Sequence, residues 1–319
     1  MIIHLGEVNE NLLRELENAF ERTGLSSQLS KVSKVFVKPN FTYPRYTPGV
    51  TTSPKFLAAL IRIASNQGAE ILVGESNGGY GSFRAAEAFL GHGLREICNE
   101  TKATAVNLSE LEAREYTGTV GGRETKVVLP RLLVEEVDLT ISAPVLKVHV
   151  MTTVSLSVKN LWGCCPLDLR LLQHAQLDRK LHLIAELTKA RFALIDATYG
   201  LDKHGPMDGE ARHLGKFIAA NDIYGADWIA ARMMGFNPRA IHHLQLISDA
   251  IKKEIGEKRV ESNSDLGKIN WGFTLGYNLI DTLSLASFHS DALSNIIYNS
   301  PLTGRIYALF GRAPRRRLE

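Results

Sequence analysis

The chain of 319 residues contains only three cysteines, Cys98, Cys164 and Cys165. Three thiols, two of them adjacent, cannot build a disulfide framework, and this predicts a reducing, cytoplasmic setting. No run of roughly 18–20 apolar residues is present, the length a bilayer span needs. The longest late candidate, residues 271–288, is interrupted by Asn278 and Asp281. The opening Met1-Ile2-Ile3-His4 lacks the charged and apolar zones of a signal peptide. A net charge of +3 is too small for a nucleic-acid binder, which carries a basic stripe. The single basic run, Arg315–Arg317, reads as a solvated tail. No membrane or nucleic-acid partner is therefore expected.

Several ligand signatures are missing as well. There is no GxGxxG turn and no P-loop, so neither NAD nor ATP is expected through a standard motif. There is no CxxC or HExxH spacing, so neither an iron–sulfur motif nor a zinc motif can be assigned. His182, His213 and the pair His242-His243 stay unassigned, and Cys164 and Cys165 read as small buried side chains. A metal held by His149, His174 and a carboxylate is neither demanded nor excluded by the spacing. The cofactor remains unknown.

Against these absences stands an ordinary globular composition, 45% hydrophobic and 22% charged. The length suits one large domain over 1–319, or two lobes meeting near residue 145, with 312–319 as a tail. Short apolar strands are expected at Val35–Val37, Ile71–Val73, Val137–Pro144, Phe192–Ile195 and Gly215–Ala220. Helical periodicity is expected over Asn9–Arg22, Phe83–Leu90, Leu167–Lys189 and Pro238–Ile255. Ser53 and Pro54 start a further helix ended by Gly68, and Asp222 caps another closed by Gly235. Strands alternating with helices predict an α/β fold, a mostly parallel sheet with helices on both faces. Tyr116–Val120 and Lys126–Leu129 form an expected hairpin around Gly121-Gly122, with Val106 beside it.

In parallel sheets ligands bind outside the carboxyl ends of the strands. Lys38, Glu75, Lys147 with His149, and Asp196 each stand at an expected strand end. Lys147 to Pro166 is the densest polar segment, with Lys159 and Asn160 following Lys147 and His149. Lysine is a compact charge suited to carboxylate or phosphate, and when buried it can act as a base. Histidine shuttles protons near neutral pH. Thr51, Thr52 and Ser53 lead into a helix whose first amides suit an anion, with Lys38, Asn40 and Ser76 close to hand. Glu75 reads either as a base or as the partner of Lys38. Asp227, set among alanines, needs a partner, for which the lysines are candidates. His174 lies close enough in sequence to reach back.

The motifs Lys38-Pro39-Asn40, Thr51-Thr52-Ser53-Pro54, Lys147-Val148-His149, Lys159-Asn160-Leu161-Trp162-Gly163, and Gly205-Pro206-Met207-Asp208-Gly209 before Asp222 and Asp227 resemble the DUF362 family over residues 34–250. Many members of that family carry an appended ferredoxin-like cysteine motif, which this chain lacks. Where the family often has lysine, this chain has Arg170. The resemblance supports the same pocket and supplies no reaction.

The combined expectation is an enzyme of lyase or isomerase type acting on a small carboxylate or phosphate. Lys38, Lys147 and Lys159 hold the charge and His149 serves as acid/base, with Glu75 or Asp227 orienting a partner. Asn40, Thr51, Thr52, Ser76, Asn160, His174 and Asp196 contact the ligand. A non-catalytic ligand-binding or redox-associated protein is the alternative, and an oligomer is open.

Overall fold

A computed structural model describes residues 1–247, 252–253, 260–277 and 285. The chain begins with β1 (Ile2–Glu7), α1 (Leu12–Thr23) and α2 (Leu25–Leu29), then β2 (Lys34–Pro39), α3 (Pro54–Ser65) and β3 (Glu70–Glu75). Helices α4 (Ala85–Gly91) and α5 (Leu94–Thr101) lead to β4 (Thr104–Asn107), followed by the hairpin β5 (Ala113–Val120) and β6 (Arg123–Pro130). Next come β7 (Leu139–Ala143), β8 (Val145–His149), β9 (Thr153–Ser155), α6 (Ser157–Asn160) and α7 (Leu177–Leu187). The long strands β10 (Ala190–Asp202) and β11 (Glu210–Ala220) precede α8 (Ile223–Met234), α9 (His242–Gln245) and β12 (Glu261–Ser262).

One mixed, mainly parallel sheet runs β12–β1–β11–β10–β7–β2–β3–β4, with β8 paired to β10 and β9 to β8. Strand β11 is antiparallel to both β1 and β10, whereas β10, β7, β2, β3 and β4 are mutually parallel. Successive side chains on a strand face opposite sides, and the core divides accordingly. Val35 and Val37 join one apolar cluster with Phe20, Phe56 and Leu57, while Phe36 joins the other with Leu146, Ile184 and Ile229. Both sheet faces are thus covered by helices, which explains continuous apolar strands without a polar alternation.

The elements differ from the sequence expectation at several places that matter for the site. The run 137–144 breaks at Pro144 into β7 and β8, and β10 pairs first with β7 and then with β8. Asp196 sits at this handover, its N–H donating to Pro144 O at 2.8 Å. It is therefore mid-strand and not at a carboxyl end. Gly200 lies inside β10, and Gly205 and Gly209 lie in the turn before β11.

Val106 belongs to β4 of the main sheet. The hairpin forms separately, with Val120 opposite Arg123 and both turn glycines at positive φ (57° and 73°). Residues 167–189 form a short turn at Arg170–Gln173 and then α7, interrupted where Gln176 takes φ 61°. The expected helix 238–255 is a short turn at Pro238–Ala240 plus α9; residues 248–251 and 254–255 lie outside the described residues, as do Arg315–Arg317. Among the described residues no helix is long and apolar enough to cross a membrane.

Candidate functional site

The carboxyl end of β2 carries Lys38, whose side chain is fully buried. Its Nζ donates to Glu75 Oε2 at 2.5 Å and to Pro39 O at 2.7 Å. Glu75, at the end of β3, also accepts from the backbone N–H of Phe41 and of Ser76. A buried ion pair of this kind survives because its remaining lone pairs are hydrogen-bonded. Gly163 lies directly against it: a Cβ there would stand 2.3 Å from Glu75 Oε1 and 2.8 Å from Lys38 Nζ. Ser76 closes the contact, its Oγ donating to Gly163 O at 2.8 Å.

Lys147, on β8, is 1% exposed and has no carboxylate partner. Its Nζ donates instead to three neutral oxygens: Asn40 Oδ1 (2.9 Å), Thr42 Oγ1 (3.0 Å) and Val50 O (2.9 Å). Burial, then the nearby Lys159 charge, lowers its pKa to about 7. Asn40 Nδ2 donates to Asn160 Oδ1, and Asn160 Nδ2 donates to Lys38 O at 2.7 Å. Thr52 Oγ1 accepts from Asn40 N and donates to Ala143 O, while Thr51 Oγ1 accepts from Thr47 N. These side chains tie β2, β7, β8 and the loop before α3 into one braced unit.

Asp196 and Asp227 are buried carboxylates that the fold itself supplies to backbone N–H groups. Asp196 Oδ2 accepts from Ser53 N at 2.7 Å, and its Oδ1 accepts from Thr198 N and Oγ1. The amides of Thr51, Thr52 and Ser53 are thereby all engaged, to Thr47 O, Asn40 O and Asp196. The helix start that the sequence reserves for a ligand is filled from within. Asp227, on α8, accepts from Ser157 N and Val158 N, both at 2.8 Å, so its partner is the start of α6 and not a lysine. Burial outweighs those donors and drives its carboxyl up to about 7.

A different set of groups is left uncommitted. Lys159 is 8% exposed, and its ammonium has no hydrogen-bond or ion-pair partner among the described residues. Burial, then Arg170, lowers it to about 8. The Arg170 guanidinium is anchored by Nη1 to Asn77 O at 2.9 Å. His149 is partly exposed, and its Nδ1 accepts from Met151 N at 3.1 Å. Burial, then the charges of Lys159 and Lys147, hold its pKa well below the ordinary value. The ring is neutral at pH 7, and with Nδ1 accepting, its proton resides on Nε2. His149 thus carries its donor hydrogen on Nε2, and the ring is held by a backbone amide.

His174 packs on Trp162 at 5.6 Å between ring centroids. Buried His243 has no hydrogen bond on either ring nitrogen, nor has Trp162 on Nε1. Burial, then Lys159, lowers His243 to about 3.

Of the residues singled out from sequence, Lys38, Glu75, Ser76, Asn40, Thr51, Thr52, Lys147, Asn160 and Asp196 form the brace, and Asp227 anchors α6. Lys159 and His174 lie near His149, close enough to act on its ring. Sequence reasoning passed over Thr42, Gly163, Trp162 and His243. Gly163 and Trp162 lay within a motif already noted, while His243 carried no local signal because its neighbours come from elsewhere in the chain. Among the described residues, no three of the histidines, cysteines and acids are grouped to hold a metal. The three cysteines are free and buried.

A thylakoid-associated protein of Synechocystis sp. is 24% identical over 240 residues, covering 72% of each sequence. A solved structure of the lactate racemase apoprotein from Thermoanaerobacterium thermosaccharolyticum matches at 16% identity and TM-score 0.48, covering 73% of this chain. A Thermotoga maritima protein matches at 16% identity and TM-score 0.38, covering 65%. The chain spans 56% of each of those two solved chains. The family described as Domain of unknown function (DUF362) matches residues 35–232, which carry the whole brace together with Lys159 and Asp227; this chain belongs to that family.

Proposed function

We propose that the protein is an enzyme that binds a small anionic molecule, a carboxylate or a phosphate, at Lys159 and moves a proton on it. The observation that carries this reading is the contrast within the lysines. Lys38 and Lys147 have internal acceptors, whereas Lys159 is nearly as buried and has none among the described residues. A buried ammonium without a partner is costly, and an anionic ligand removes that cost.

Arg170 adds a permanent charge, and the Nε2–H of His149 donates to the oxygen on which negative charge builds during reaction. Lys159 titrates at about 8, near working pH, where proton transfer in either direction is most effective. This chemistry suits elimination or isomerisation. The free, buried cysteines accord with a reducing, cytoplasmic setting.

The test is a screen of small carboxylates and phosphate esters in D2O, read by NMR for deuterium entering a C–H of the bound compound. Wild type is expected to exchange deuterium into at least one member, and Lys159→Met to abolish the exchange. Binding without exchange by any member would defeat the catalytic reading and leave a ligand-binding protein.

A further inference from the structure

We propose that the ligand's charged group is a tetrahedral oxyanion of the phosphate type, and that Trp162 and His243 are two of its hydrogen-bond donors. The proposal rests on the reading of Lys159 as the anion's anchor and deepens it. Its basis is an imbalance of donors over acceptors. Lys159 and Trp162 stand three residues apart on α6 and the turn that continues it, a spacing that places side chains on neighbouring positions of one face. The Trp162 Nε1–H, a donor only, is buried with no acceptor.

His243 arrives from α9, near enough to Lys159 for the ammonium to act on its ring, and both its nitrogens are buried without partners. His149 offers an Nε2–H from β8, and Arg170 approaches Lys159 from the turn before α7. Buried polar groups in folded proteins are almost always hydrogen-bonded. Two orphan donors, Trp162 and His243, on elements beside one ammonium therefore mark a position for a group rich in acceptors. Three buried acids are committed elsewhere: Glu75 to Lys38, Asp227 to the start of α6, Asp196 to Ser53.

A carboxylate accepts within one plane and suits donors arriving from α6, α9, β8 and the Arg170 turn less well than a phosphate does. A phosphate presents oxygens towards four corners. Neutral His243 contributes one N–H to an oxygen.

The experiment uses the full chain and two probes, inorganic phosphate and acetate. The sequence has three tryptophans, so the indole N–H region of a 1H–15N spectrum shows three resonances, and Trp162→Phe identifies the one from Trp162. On adding phosphate to wild type, that resonance is expected to move while the other two stay. Phosphate affinity should exceed acetate affinity, and Trp162→Phe and His243→Phe should each weaken phosphate at least about tenfold, the loss of one hydrogen bond to a charged group.

Should acetate bind as tightly as phosphate in a Lys159-dependent manner, with the Trp162 resonance unmoved, this inference falls while the anion site at Lys159 stands. Should neither probe bind, or should both bind equally well to Lys159→Met, both readings fall together. The resonance shift is read on wild type, so a variant that fails to fold does not decide the outcome.

Discussion

The Glu75 carboxylate lies 2.5 Å from the Lys38 ammonium, and the bare Cα of Gly163 closes over the pair. The two charged residues end neighbouring parallel strands, while the glycine belongs to the turn after α6. The contact therefore locks the Lys159 segment onto the sheet ends. Gly163→Ala is expected to destabilise the protein by more than about 2 kcal/mol, because backbone and a braced ion pair must both shift. Urea unfolding measures this, and a loss below about 0.5 kcal/mol would show that the closure is not needed.

The ion pair gives a second prediction. Lys38→Met leaves Glu75 buried and uncompensated and is expected to cost about 3–5 kcal/mol, whereas Lys38→Met with Glu75→Leu is expected to cost distinctly less. A double-mutant cycle reads the difference. Additive losses would mean that the two side chains do not compensate each other.

Lys147 makes stability depend on pH in a defined direction. Its folded pKa, about 7, is depressed from 10.5, so between those values the unfolded chain binds the extra proton. Stability should rise with pH across that window, be fully present above 10.5, and be lost as pH falls through about 7. Lys159, lowered to about 8, acts in the same sense. The slope of unfolding free energy between pH 7.5 and 9.5, a range chosen inside the window on roughly one unit's margin, should flatten in Lys147→Met. An unchanged slope would return the effect to other groups.

Asp227 works with the opposite sign. Its folded pKa is raised from 3.8 to about 7, so its contribution weakens as pH rises between those values. Asp227→Asn replaces one of two acceptors by a donor facing a backbone N–H. It should cost about 1–3 kcal/mol and displace Lys159, which sits two residues after Ser157 on α6. Loss of stability together with weaker phosphate binding at pH 8 is the expected result. A variant that binds phosphate as wild type does would show that the cap does not position Lys159.

Anion affinity itself should respond to pH through Lys159. Above about 8 the free protein loses the ammonium proton that the anion requires. Affinity is then expected to fall about tenfold per pH unit, and Lys159→Arg, which stays charged, should remove the dependence. Calorimetric titrations between pH 7 and 10 decide it; a flat profile in wild type would take Lys159 out of the binding step.

The α/β architecture was legible because periodicity is local: Val35, Phe36 and Val37 must alternate between sheet faces whatever lies beyond them. The rule that ligands gather at strand ends likewise points to Lys38, Glu75, Lys147 and His149 from sequence alone. It could not sort brace from open site. Lys147 and Lys159 are both lysines in one polar segment, yet Lys147 has three acceptors, among them Asn40 at a sequence separation of 107, and Lys159 has none among the described residues. Asp196 was placed at a strand end because nothing local tells where β10 changes neighbours. His243 was passed over because its importance lies in what does not touch it.

Residue order alone settled the layers of the fold, the family motifs and the chemical inventory near the sheet ends, since these follow from spacing, backbone propensity and side-chain type. Which of those groups neutralise one another was decided only when strands over a hundred residues apart came side by side. Ser53 and Asp196, separated by 143 positions, show why. Hydrogen bonds act over about 3 Å, and whether a buried charge is satisfied depends on neighbours the chain acquires by folding.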